Sequence, residues 1–198
     1  MREEDRVTAV IAASCMAAML LFPFMSLRAT RLSPAEGLAL FSALGPSRAV
    51  PLLCLVLALF APGLVRVPRE WGTRISAATA VCLAFLVLEF SGSSAARLVS
   101  GRDFARVSLS SGAWVLLGGS FVLFRTALRR LPKGNLERTF MTLLPLVLLF
   151  PFLAGKLDSL SLMVELANRS GRFALELRRH LFLGLASVAS GSPLGTPL

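Results

Sequence analysis

Charged side chains fall in clusters along this chain, and long apolar stretches run between the clusters. No Lys, Arg, Asp or Glu occurs between Val7 and Leu27, Ala49 and Val65, Ile75 and Leu88, Val107 and Phe124, or Thr139 and Gly155. These five windows are 14 to 21 residues long. A helix needs about 20 residues to cross the roughly 30 Å hydrocarbon layer of a bilayer. A sixth apolar window runs from Leu181 to Leu198. The pattern predicts an all-α fold, a polytopic transmembrane helix bundle of about six crossings with short interfacial amphipathic helices.

The first segment, Val7 to Leu27, carries Ala9, Ala13 and Ala17 at every fourth position, a small-residue row that admits a neighbouring helix. Its 21 residues exceed the core of a signal peptide, and Arg28-Ala29-Thr30-Arg31 is a poor cleavage site, so a retained helix is expected. In the following loop, Ser33-Pro34-Ala35-Glu36 reads as the start of a short interfacial helix ending near Leu44. The second segment, Ala49 to Val65, opens with Pro51 and closes with Pro62-Gly63. A turn from Arg66 to Arg74 follows, with Trp71 suited to the aromatic belt.

The third segment extends from Ile75 to Gly92 or beyond and has a second small-residue row, Ser76, Ala80 and Ala84. Glu89 lies near its end. An intramembrane carboxylate is a functional candidate, but so close to the boundary the favoured expectation is snorkelling or pairing with Arg97. The fourth segment, Val107 to Phe124, contains Trp114 and Gly118-Gly119. The fifth, Thr139 to Leu157, contains Pro145 and Pro151, and Lys156 reaches back to the interface. Next, Asp158-Ser159 can cap a short helix, Glu165 is placed to pair with Arg169, and Arg172, Glu176 and His180 share i, i+4 spacing.

Composition sharpens this picture. The chain of 198 residues is 55% apolar and 16% charged, against about 25% charged in soluble domains, which excludes a soluble enzyme. The net charge of +10 comes from cations that sit between the apolar windows, 19 of the 21 being Arg. This is membrane topology rather than a nucleic-acid surface, so no nucleic-acid partner is expected. Five cations occupy the 14 residues from Arg125 to Arg138, and that density predicts a cytoplasmic N-terminus. Cys15, Cys54 and Cys82 sit in separate apolar windows, as packing residues do.

Candidate chemistry is sparse. There is one His, His180, and no phosphate-cradling Gly-rich loop, zinc motif or nucleophile elbow. No enzyme activity, cofactor or metal site is expected. The Gly, Pro, Ser and Thr interruptions in the second, third and fifth segments suit broken, pathway-lining helices and ordinary packing kinks alike.

The stretch LDSLSLMVELANRSGRFALELRRHLFLGLASVASGSPLG, from Leu157 to Gly195, resembles the beginning of the transmembrane domain of binding-protein-dependent ABC importer permeases for osmoprotectants (glycine betaine, choline, carnitine, proline betaine). In that family a His-Leu precedes an apolar helix ending in Gly-x-Pro-Leu-Gly. Here His180-Leu181 and Gly191-Ser192-Pro193-Leu194-Gly195 stand in those places. LSLMVELANR (Leu160 to Arg169) and ARVSLSSGAW (Ala105 to Trp114) resemble the branch with extra N-terminal helices. The resemblance implies a multi-pass protein of the inner (plasma) membrane. It also implies a second permease subunit, an ABC ATPase subunit in the cytoplasm, and a periplasmic or extracellular substrate-binding protein.

In such permeases the Gly-x-Pro-Leu-Gly helix runs from outside to inside, which agrees with five preceding helices and a cytoplasmic N-terminus. Three parts are expected: a five-helix membrane region at 1–157, an amphipathic interfacial segment at 158–179, and at 180–198 the first helix of the permease domain. The family continues through further helices and a Glu-Ala-Ala…Gly coupling loop, none of it in this sequence. The chain therefore reads as the truncated N-terminal part of a permease, contributing scaffold helices rather than the pathway. The alternative is a small polytopic scaffold or assembly protein without transport of its own.

Overall fold

A computed structural model describes residues 3–60, 69–102, 104–130 and 134–191. Helix α1 (Glu3–Leu21) gives way within four residues to a strand, β1 (Met25–Arg28). Pro23 sets that boundary, because it has no N–H to continue the helix and pushes Phe22 toward extended backbone. The Phe24 N–H donates instead to the Leu38 carbonyl at 2.8 Å, beside β2 (Glu36–Leu38). A third strand, β3 (Arg106–Leu109), pairs with the other edge of β1, so the sheet runs β2-β1-β3 with both pairings antiparallel.

The fold is thus mostly helical but not all-α. Met25, Leu27, Val107 and Leu109 alternate with Ser26, Arg28, Arg106 and Ser108, the period of a strand with one buried face. Met25 and Val107 are fully buried. On the opposite face the Ser26 and Ser108 hydroxyls are 2.8 Å apart. Three of the four residues of each strand lie inside a charge-free window, with Arg28 and Arg106 just outside it, so the first segment ends as a helix at Leu21 and the fourth begins at Ser111 rather than Val107.

The remaining helices are α2 (Leu40–Leu44), α3 (Pro46–Ala58), α4 (Arg69–Val99), α5 (Ser111–Arg130), α6 (Asn135–Leu153), α7 (Ser161–Asn168) and α8 (Ser170–Gly191). The interfacial helix expected from Ser33 starts only at Leu40. Ser33 makes a turn instead, its hydroxyl accepting from the Thr30 N–H at 2.8 Å, and Glu36 lies in β2. Arg69 to Arg74 of the expected turn are already helical; its first residues, 66–68, and the end of the second segment, 61–65, lie outside the described residues.

Five helices run alternately toward and away from the sheet. Helix α1 leads into β1, and α4 ends seven residues before β3, which leads into α5. Arg48 at the start of α3 bonds Ser94 late in α4, and Lys156 just beyond α6 meets Glu89 on α4. The starts of α3 and α5 and the ends of α1, α4 and α6 therefore share the sheet end.

Helix α5 packs most extensively on α4 and α1. Its buried residues Gly112, Ala113, Leu116, Ser120, Leu123, Phe124, Ala127 and Leu128 recur at three and four, one stripe of a helix. The row Ser76, Ala80 and Ala84 is buried, as its spacing predicts. The alanine row of α1 is not the packing face: Ala13 and Ala17 are exposed, whereas Ala12, Cys15, Ala18 and Met19 are buried. Gly119 lets α5 approach α1 closely, since a Cβ there would collide with the Cys15 sulfur. Phe150 of α6 meets Phe85 of α4 with ring centroids 6.3 Å apart. Cys54 and Cys82 are exposed, and all three thiols are free.

Two compact units divide the chain after Ser161. In the second, Glu165 pairs with Arg169 at 2.6 Å, as the i, i+4 spacing predicts. Glu176 pairs with Arg179 at 3.2 Å rather than joining Arg172 and His180.

Candidate functional site

A polar, partly buried region lies in the last third of α4. Glu89, Gly92, Ser94 and Arg97 occupy about 12 Å of helix at 1.5 Å per residue, and each contacts a different backbone or side chain. Lys156 Nζ lies 3.5 Å from Glu89 Oε1, the carboxylate being 22% and the lysine 49% exposed. Gly92 packs against the Lys156 carbonyl so tightly that a Cβ there has no room. Arg48 Nη1 donates to Ser94 Oγ at 3.1 Å, and Arg97 Nη2 donates to the Ala43 carbonyl at 3.0 Å.

Glu89 therefore pairs with Lys156, not with Arg97. Residues eight apart share roughly one helix face, but the Arg97 guanidinium is drawn to the end of α2. That corner offers a carbonyl the last turn of a helix leaves unpaired. The second oxygen of Glu89 and the hydroxyl of Ser91 are buried without a hydrogen-bond partner. Chemically, this arrangement fixes helix ends against one another. Among the described residues no group of three or more His, Cys, Asp or Glu is placed to hold a metal ion.

At the other end of α4, Arg74 lies over the Trp71 ring, 5.5 Å from its centroid. Trp71 stands in the first turn of α4 and Trp114 in the first turn of α5; both are exposed. Because α4 runs toward the sheet and α5 away from it, the two indoles sit near opposite ends of the bundle. Two helices, over Trp71–Val99 and Ser111–Arg130, are long and apolar enough to cross a membrane, and Arg6–Leu21 and Pro46–Ala58 are shorter apolar helices.

The motif residues near the C-terminus are not gathered into a site. His180 and Leu181 are exposed on α8, and Gly191 is its last residue, about 16 Å along the helix axis from His180. Pro193, Leu194 and Gly195 lie outside the described residues. The sequence reading missed the Arg48–Ser94 and Arg97–Ala43 contacts. Their signal was present in Ser91-Gly92-Ser93-Ser94, a run of small residues that permits close approach.

A family model for the N-terminal domain of the ABC transporter permease YehY matches residues 5–163. The chain belongs to this family. No curated protein and no solved structure matches it. The matched range takes in the sheet, all five alternating helices and the braced end of α4. These elements therefore belong to a membrane transport component, a permease domain of an ABC system. His180 and Gly191 to Gly195 fall beyond the match.

Proposed function

We propose that this permease domain serves an ABC importer of quaternary-ammonium osmoprotectants such as glycine betaine or choline. Its helices act as a scaffold beside the transport pathway. The observation that carries the substrate class is the resemblance of Leu157 to Gly195, with His180-Leu181 and Gly191-Ser192-Pro193-Leu194-Gly195 in the family's places.

The N-terminal five-helix region (1–157) lies in the inner membrane, followed by an interfacial segment (158–179) and a further crossing at 180–198, about six in all. Helices that alternate about the sheet and carry a tryptophan near each end support this arrangement. The N-terminus is cytoplasmic, because the connection between α5 and α6, with Arg125, Arg129, Arg130, Lys133 and Arg138, is the densest in cations and lies opposite the sheet. An ATPase subunit, a second permease subunit and a substrate-binding protein on the sheet side complete the system, and ATP hydrolysis resides in the ATPase.

The test is uptake by a strain stripped of other osmoprotectant systems, carrying the intact operon with and without this domain. ATP-dependent accumulation of labelled glycine betaine or choline is expected only with it. Failure to accumulate either compound overturns the osmoprotectant reading. A scaffold without transport of its own is the second reading, favoured by the buried Ser76, Ala80 and Ala84 row, which packs helices. Co-purification with the ATPase subunit supports the importer; its absence supports the scaffold.

A further inference from the structure

The sheet carries a basic patch that neither the transport reading nor the bracing of α4 uses. Arg28 on β1 stands directly opposite Arg106 on β3. Both lie on the face marked by the Ser26–Ser108 hydroxyl pair, away from buried Met25 and Val107. Directly opposed side chains have Cβ atoms about 5 Å apart, and like charges so placed destabilise a sheet. The loop leaving Arg28 and the loop entering Arg106 emerge from the same end of the sheet. Their described residues add Arg31 and Arg102, and Glu36 begins β2.

Each of these loops also carries one strongly exposed apolar side chain, Leu32 at 96% and Phe104 at 75%. The sheet is tethered closely to membrane helices. Three residues separate α1 from β1, and one separates β3 from α5. At about 3.3 Å per extended residue, β1 starts within roughly 13 Å of the end of α1. That is headgroup depth if α1 and α5 span the bilayer.

We propose that Arg28 and Arg106 together hold the phosphate of an anionic phospholipid, with Leu32 and Phe104 inserting among the acyl chains beside it. Guanidinium forks match phosphate oxygens in pairs. Arginine flanked by exposed apolar residues is the composition of an interfacial anchor. An acidic protein surface would meet the charge but leave Leu32 and Phe104 unaccounted for. The inference rests on the reading of α1 and α5 as membrane spans.

The experiment uses the full chain purified in neutral detergent and titrated with phosphatidylglycerol or phosphatidylcholine, bound lipids being counted by native mass spectrometry. The wild type is expected to prefer phosphatidylglycerol. Arg28→Gln with Arg106→Gln is expected to weaken that binding about thirtyfold, at about fivefold per arginine near an anionic surface. The Lys pair at the same positions is expected to keep part of it. Arg125→Gln with Arg129→Gln, at the opposite end of the bundle, is the charge-matched control.

Leu32→Ser with Phe104→Ser changes only exposed side chains and is expected to lower binding of both lipids, which keeps the test decisive even where the Gln pair fails to fold. Equal affinity of wild type and Gln pair, an equal loss in the control, or no preference for phosphatidylglycerol overturns the proposal. So does retention of an acidic protein by the patch in place of lipid. Extraction of the chain from native membranes by carbonate would instead refute the spanning reading.

Discussion

Residues 3–161 and 162–191 are both dominated by helices with apolar faces, yet they are organised by different forces. In the first unit the apolar stripes of α1, α4 and α5 find one another, and polar groups on α4 reach three other segments. In the second, every residue from Ala167 to Gly184 is exposed, and Glu165 with Arg169 and Glu176 with Arg179 are local ion pairs. Helical periodicity alone creates a face. A partner at the right distance turns that face into structure, because isolated helices draw little stability from propensity.

This difference is broken most severely at Gly92. Gly92→Leu drives a side chain into the Lys156 carbonyl, and thermal unfolding in detergent is expected to show a loss of about 3 kcal/mol, the upper range of overpacking. The matching change in the second unit, Gly171→Leu, meets open space and is expected to stay within about 0.5 kcal/mol. Equal losses at both positions would erase the distinction between the units.

A smaller effect is expected where α5 crosses α1. Gly119→Ala presses on the Cys15 sulfur and is expected to cost about 1 kcal/mol. Cys15→Ala in the same chain should recover most of that loss, because the two positions share one contact. Next in size, Glu89→Gln removes the carboxylate facing Lys156. Solvent reaches both groups, so the expected loss is about 0.5 kcal/mol and shrinks as salt is raised. The smallest expected effect is in the second unit, where Glu165→Gln removes an exposed i, i+4 pair, worth about 0.3 kcal/mol in helix content.

Charge-free windows located the apolar helices but not the sheet. Met25-Ser26-Leu27-Arg28 and Arg106-Val107-Ser108-Leu109 carry their single charge at the window's edge, so their other three residues merge into neighbouring helical windows unless their period of two is weighed separately. Pro23 was readable as a kink, and its greater consequence, a strand in place of continued helix, depends on pairing partners for Met25 that arrive later in the chain, Leu38 and the distant Leu109. The same dependence explains Glu89. Its sequence neighbours pointed to Arg97, whereas Lys156 lies 67 residues away and is delivered by α6.

The two small-residue rows had identical signals, and only the row on α4 is buried, because choosing between faces requires knowing where α5 lies. Family membership was legible in part: ARVSLSSGAW, from Ala105 to Trp114, lies inside the match, whereas the C-terminal motif does not. The matched residues 5–163 contain few distinctive motifs, and the recognisable Gly-x-Pro-Leu-Gly stretch lies beyond them.

The alternating arrangement of α1, α3, α4, α5 and α6 is tested most directly by cysteine accessibility in intact cells. The three native cysteines are first replaced by serine or alanine, and single cysteines are introduced as Ala29→Cys beside the sheet, Ala154→Cys after α6, and Gly134→Cys before it. All three positions are exposed. A membrane-impermeant maleimide is expected to label the first two from outside, and Gly134→Cys only after the cells are opened. Labelling of Ala29→Cys and Gly134→Cys from the same side would contradict an alternating, membrane-spanning bundle.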